Sequence, residues 1–362
     1  MKKIVGIIAA AALLATSVFA ADISAKVQLE GKLFNYDGTS EAMSMFMLDK
    51  PGSQNWNPIF NTSVNGDKAG AEFCVYTGNT TNAGMDVKKD GASVGSTSLN
   101  FGWNNGKMVA AKGFKIWMSP ADGFKLIFGS NDFNLNQEHI TWSKTDSGIG
   151  GDFGYSLSYN SNGIGIDLML NPGWDNAAWM SKAKNGDPAL MPMGFKFTYG
   201  ADFGTINFLL KAADGADKDG KNKNFNDLKF GLGYANNFDG INIFANFLGY
   251  MQNDFNKIRV ELYAEGNADA LAWKVFPTVN YDLKAKKDNL AVGLVARLDY
   301  ALDGFGAYLY VESANFLADP FAITIKPGVS GNLSGAGWDV ALQLDIAKKT
   351  NISVPVSFNY GW

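Results

Sequence analysis

Residues 351–362 read NISVPVSFNYGW. Every second residue is large and apolar: Ile352, Val354, Val356, Phe358, Tyr360 and Trp362. Between them stand Asn351, Ser353, Pro355, Ser357, Asn359 and Gly361, all small or polar. A strict period of two describes a strand with one apolar and one polar face. The same alternation runs through the rest of the chain. In 22–35, Ile23, Ala25, Val27, Leu29 and Leu33 alternate with Ser24, Lys26, Gln28, Glu30 and Lys32. It recurs in Phe153/Tyr155/Leu157/Tyr159, Leu228/Phe230/Leu232/Tyr234 and Leu290/Val292/Leu294/Ala296/Leu298/Tyr300. Turn residues such as Ser161-Asn162-Gly163 and Ala201-Asp202-Phe203-Gly204 separate the runs. The chain is all-β.

Alternation alone does not separate a soluble sandwich from a membrane barrel, but strand length and the ends of the apolar faces do. The runs extend over about 9–12 residues, the reach of a tilted strand across a bilayer, where globular strands average about 5–6. Many apolar faces end in Tyr, Phe or Trp, the arrangement of interfacial aromatic girdles. A bilayer forbids open sheet edges, so the sheet must close. These features predict a closed antiparallel transmembrane β-barrel of about 18 strands, or 16 if the region 36–107 contributes fewer. Asp67–Tyr76 and Val94–Trp103 read as strands there, while the Met-rich 42–48 has no clear place. Short turns fall at Ser161–Gly163, Ala201–Gly204, Asn236–Gly240, Ala301–Gly304 and Asn332–Gly337 on one side. Long loops at 132–151, 171–192 and 213–225 fall on the other, as short periplasmic turns and longer extracellular loops require. Pro277, Pro327 and Pro355 each remove a ladder donor, so bulges are expected beside them.

Residues 1–20 read as a signal peptide, with Lys2 and Lys3, an apolar Ile4–Ala15 and a small-residue cleavage site ending at Ala20. The barrel domain is then 21–362. The formal charge of −4 becomes more acidic when Lys2 and Lys3 leave, which argues against a nucleic-acid partner. One Cys, Cys74, permits no internal disulfide, and with one His, His139, no structural zinc site is expected. No run after residue 20 is long and apolar enough for a membrane helix. Gly (41 residues) and 13% aromatics beside 18% charged residues suit a turn-rich β protein.

Catalysis finds few residues to use. Glu138 and His139 are adjacent, and neighbours on an extended chain point to opposite sides, so they form no ready acid–base pair. The loop ADGADKDGKNKN (213–224) lacks the spacing and terminal Glu of a calcium loop. No catalytic residue, metal site or cofactor is expected. The polar face carries what function remains. By parity, Lys115, Lys125, Lys196, Lys211, Lys229, Arg259, Arg297 and Lys326 point inward, with Glu72, Glu261, Asp299 and Glu312. The pairs Arg259/Glu261 and Arg297/Asp299 fit either ties that stiffen the wall or charged rings that set ion selectivity, the second being the expectation here. Either 172–192 or 36–66 is a candidate for folding inward and narrowing the pore.

A leader, amphipathic strands throughout and an aromatic last strand together resemble outer-membrane proteins of the Gram-negative type. In that group the last strand is read by the barrel-assembly machinery, so the resemblance implies that Phe358, Tyr360 and Trp362 are the assembly signal. GFKIWMSPADGFKLIFGS (113–130) and VNGDKAGAEF (64–73) resemble porin-like barrels of the spirochaete kind. The function implied is a porin: passive diffusion of small hydrophilic solutes across outer-membrane lipid, with no covalent step. A surface adhesin, a channel for hydrophobic compounds and a barrel enzyme are the alternatives. The sequence leaves the oligomeric state open.

Overall fold

The computed structural model describes residues 21–48, 59–65, 67–76, 85–89, 92–97, 103–104, 107–108, 113–131, 135–136, 139–140, 143–144, 152–170, 180–182, 188–190, 193–216 and 222–361. The expected leader 1–20 and Trp362 lie outside them.

The alternating runs become the staves of one sheet. They are β1 (Ala21–Asp37), β2 (Ala42–Leu48 and Ile59–Asn65), β3 (Ala69–Tyr76), β4 (Gly113–Met118), β5 (Phe124–Asn131) and β6 (Asp152–Ser161). Next come β7 (Ile164–Leu170), β8 (Met193–Ala201), β9 (Gly204–Ala216), β10 (Asn222–Phe238), β11 (Ile241–Gln252) and β12 (Asp254–Ala268). The last six are β13 (Leu271–Asp282), β14 (Leu290–Leu302), β15 (Phe305–Ser313), β16 (Ile323–Leu333), β17 (Ala336–Ala341 and Gln343–Ile346) and β18 (Thr350–Gly361).

The sheet has twenty hydrogen-bonded segments, and two pairs of these are halves of one stave. Ala42–Leu48 pairs with Gly31–Asp37 and Ile59–Val64 pairs with Ala21–Lys26, along the same edge of β1. Ala336–Ala341 and Gln343–Ile346 likewise share β16 and β18 as neighbours. Eighteen staves result among the described residues. The Met-rich 42–48 is thus the first half of β2. The expected strand Val94–Trp103 is not a stave: Met85–Lys89 pairs with Ala92–Thr97, and Trp103–Asn104 with Lys107–Met108, in small ladders apart from the wall.

Each stave pairs antiparallel with the next, and the ring closes where β1 meets β18, from Lys26↔Gly361 to Tyr36↔Ile352. Closure removes both edges of the sheet. The turns on the side of the chain termini are tight, among them Asn162-Gly163, Asp202-Phe203, Asp239-Gly240 and Ser334-Gly335. Asn162 and Gly163 both take positive φ (50° and 79°), the requirement of a two-residue turn that matches strand twist. The long connections 132–151 and 171–192 fall on the other side. The expected long loop 213–225 is shorter, because β9 and β10 continue pairing to Ala216↔Asn222.

The prolines interrupt the ladder more than they bulge it. Pro277 keeps its register with Leu294, and β17 breaks at Leu342, whose amide still donates to the Pro327 carbonyl at 2.9 Å. A register shift does occur between Lys32 and Phe34, beside Pro355.

Outward positions are exposed and apolar: Leu157, Leu168, Phe208, Leu232, Phe247, Leu262, Leu298 and Leu309. Near the tight turns the outer face ends in aromatics, with Phe124 against Tyr159 (4.8 Å between centroids) and Tyr199 near Phe203 (6.1 Å). Near the opposite rim Phe230 stacks with Phe255 (5.8 Å), and Phe316 with Phe321 (5.7 Å). These are the two aromatic girdles that the sequence predicts.

Candidate functional site: the inner wall and a docked loop tip

Cross-strand register arranges the inner face of β9 to β13 in three rows. The row nearest the long loops is Lys211, Lys229, Tyr250, Lys257 and Asp282. The middle row is Leu209, Gly231, Leu248, Arg259 and Asn280. The third is Asn207, Gly233, Asn246, Glu261 and Thr278.

Leu135 and Asn136, from the connection between β5 and β6, dock on these rows from inside. Leu135 is 5% exposed and packs with Met169, Leu209 and Leu248. A Cβ at Gly231 would stand 2.5 Å from its Cδ1, and one at Gly233 would stand 2.9 Å from Asn136 Nδ2. The two glycines therefore form the recess that admits the tip. Leu135 meets the apolar row and Asn136 the polar row.

The polar contacts run across the wall. Thr198 Oγ1 donates to Asn207 Oδ1 at 2.9 Å, and Asn207 Nδ2 to Asn136 Oδ1 at 3.1 Å. Asn136 Nδ2 donates to the Tyr234 carbonyl at 3.1 Å. Asn246 Nδ2 donates to the Asn136 carbonyl at 2.8 Å and to Glu261 Oε2 at 3.0 Å. Arg259 completes the line, with Nε 2.7 Å from Glu261 Oε1 and Nη1 3.2 Å from Asn280 Oδ1. Glu261 is 0% exposed, so this pairing satisfies a carboxylate that would otherwise be costly to bury. Further along the same connection, the His139–Ile140 backbone comes close to β14. The segment thus leaves the wall at β5 and reaches far round the ring. Among the described residues, this segment docks inside the ring. The described residues of the expected inward stretch 36–66 are mostly wall, its remainder 49–58 and 66 lies outside the described residues, and so does most of 172–192.

The expected charge pairs are ties along single strands. Arg297 Nη2 lies 2.6 Å from Asp299 Oδ1, and its guanidinium sits 4.3 Å from the Tyr308 ring centroid. The Tyr308 hydroxyl then donates to Asp339 Oδ1 at 2.9 Å. Glu261 and Lys326, both on the inner face, are buried. Tyr310, opposite Lys326, donates to Glu312. On β4 to β8 the cations are more open. Lys125 lies 4.4 Å from the Trp117 ring centroid. Lys196, opposite Asp167, lines with Lys125, Ser158 and Thr198 a recess of about 460 Å³ near the tight turns. Lys115 is in register with Glu72, whose side chain lies outside the described residues, as does that of His139. Among the described residues, no three His, Cys, Asp or Glu gather as metal ligands. Phe358 and Tyr360 stand exposed on the outer face.

Parity at the sequence level missed one feature. Phe244, Tyr263, Phe276, Val295, Tyr308, Tyr310 and Ala341 form an apolar cluster on the inner face of β11 to β17, with Phe244 and Tyr263 stacked at 4.9 Å. The signal was present in INIFANFL (241–248), where both parities carry large apolar residues.

The described residues thus form a closed ring of eighteen staves, apolar outside and mixed inside, with a segment docked within. No protein-family model matches the chain, and no curated protein matches it. Solved structures with the same fold exist. OccK8 (OprE) of Pseudomonas aeruginosa is similar with a TM-score of 0.52 at 8% identity, over 95% of this chain and 99% of that one. OccK2 (OpdF) of the same organism gives 0.53 at 10% identity, over 94% and 97%. A BenF-like porin from Pseudomonas fluorescens Pf-5 gives 0.51 at 10% identity, over 95% and 99%. Likeness at such identity establishes the fold, and it lends no support to the spirochaete resemblance.

Proposed function

We propose that the protein is a porin-like outer-membrane channel through which small hydrophilic solutes or ions diffuse passively. The observation that carries this reading is the ring with an apolar exterior and girdles outside and a docked loop tip inside. An apolar exterior of that extent calls for lipid, and a segment anchored within a wide barrel serves to narrow a passage. The solute path runs past Lys115, Lys125, Lys196, Lys211 and Lys229, with Glu72 beside Lys115. Arg259, Glu261, Arg297, Asp299, Glu312 and Lys326 hold the wall behind it. The tight turns face the periplasm and the long loops face outward. Residues 1–20 direct export, and Phe358, Tyr360 and Trp362 present the last strand to the barrel-assembly machinery. The protein performs no covalent chemistry, so His139→Ala leaves transport unchanged.

Purified protein in planar lipid bilayers tests this reading. Stepwise, ohmic conductance is expected. A barrel that inserts yet carries no current would sink the channel and favour a surface adhesin.

A further inference from the structure

The row on the loop side of the docked tip concentrates positive charge. Lys211 and Lys229 are direct cross-strand partners, and Lys229 and Lys257 flank Tyr250 in register. Their ammonium groups lie 5.4 Å (Lys229) and 5.6 Å (Lys257) from the Tyr250 ring centroid. Like charges directly opposite each other in a sheet are destabilising. Three other cations of the inner wall come with acids: Arg259 with Glu261, Arg297 with Asp299, Lys274 with Glu265. Lys229 and Lys257 have no carboxylate at ion-pair distance among the described residues. Asp282, at the end of the row, instead accepts from the amides of Lys284 (2.8 Å) and Ala285 (3.1 Å). Tyr250 itself packs against the cluster that holds Leu135, so the row borders the tip.

We propose that Lys229 and Lys257, which flank Tyr250 in register, form a binding station for a small polyvalent oxyanion of the phosphate class. The station rests on the channel reading and stands before the narrowing made by Leu135 and Asn136. One carboxylate is neutralised by one lysine. Two ammonium groups on strands two apart match an anion with several oxygens and more than one charge. Neighbouring strands are about 4.7–4.9 Å apart, which lets long lysine side chains converge on one tetrahedral anion. Tyr250 holds both ammonium groups near it by cation–π contact, so less freedom is lost when the anion arrives.

The probe is inorganic phosphate, added to bilayers carrying current in potassium chloride. Saturable block is expected. Lys229→Gln/Lys257→Gln should raise the half-blocking concentration by about tenfold or more, the loss of two charge-assisted contacts. Lys229→Arg/Lys257→Arg should retain the block, and Lys348→Gln in a rim turn should not change it. Current without block, or equal block in wild type and the glutamine variant, overturns the station and leaves the channel standing. If no current is seen, equilibrium dialysis of phosphate against the detergent-folded barrel decides. Saturable binding weakened by the glutamine changes supports the station, and no binding overturns it. Unchanged heat-modifiability on gels shows that the variants fold.

Discussion

Asn136 and Asn246 hold each other by two hydrogen bonds. Asn246 Nδ2 donates to the Asn136 carbonyl at 2.8 Å, and Asn136 Nδ2 donates to Asn246 Oδ1 at 3.3 Å. The residues lie 110 positions apart, and the contact joins the connection after β5 to a strand six staves along the ring. Breaking it should free the tip. Asn246→Ala, or Gly233→Val, which fills the recess, should raise single-channel conductance while the barrel stays folded. The asparagine change also strands partners at Glu261 and Asn136, at about 1–3 kcal/mol. Conductance equal to wild type in both variants would show that the tip does not narrow the path.

The buried Glu261 carboxylate is ion-paired with Arg259 at 2.7 Å. Arg259→Met leaves the carboxylate buried without a cation and should cost about 3–5 kcal/mol. Adding Glu261→Gln removes the charge and keeps an acceptor for Asn246, so the double variant should recover most of that loss. Urea unfolding of vesicle-folded barrels, followed by tryptophan fluorescence, measures both. Equal losses in the single and double variants would rule out the tie.

Leu232 is 53% exposed at the middle of β10, on the outer face between Phe208 and Phe247. If that face meets lipid, Leu232→Arg should cost about 2–4 kcal/mol near the midplane. On a barrel in water the same change would be close to neutral. Folding yield into vesicles against folding yield in detergent separates the two.

The seam gives a geometric test. Asn35 and Ser353 are Cα partners across β1 and β18. In a Cys74→Ser background, Asn35→Cys with Ser353→Cys should form a disulfide, since directly opposed residues lie within disulfide reach. A shift in gel mobility that reductant reverses reports the closed ring. Free thiols after mild oxidation of folded protein would argue for an open sheet.

Much of this barrel is legible in single residues. The period of two in 351–360 assigns Phe358 and Tyr360 to the outer face, and Asn162-Gly163 announces its turn, because strand parity and turn conformation are local properties. Parity also places Arg259 beside Glu261. It does not say whether the pair faces water or is walled in, since that depends on neighbours six strands' worth of register supplies. Gly231 and Gly233 look like weak strand residues, and only Leu135 and Asn136 explain them. The Met-rich 42–48 resisted placement because β2 is built from two segments, and neither half shows a full-length alternation.

The amino-acid sequence by itself determined that the chain is a closed β-barrel with a lipid-suited exterior, because alternation and chain length are enough to decide face and span. Tertiary structure alone decided that Leu135 and Asn136 dock inside the ring, and which side chains meet Arg259, Glu261 and Tyr250. Those outcomes depend on cross-strand register. Shifting one strand by two residues preserves its pattern yet changes every partner its side chains meet.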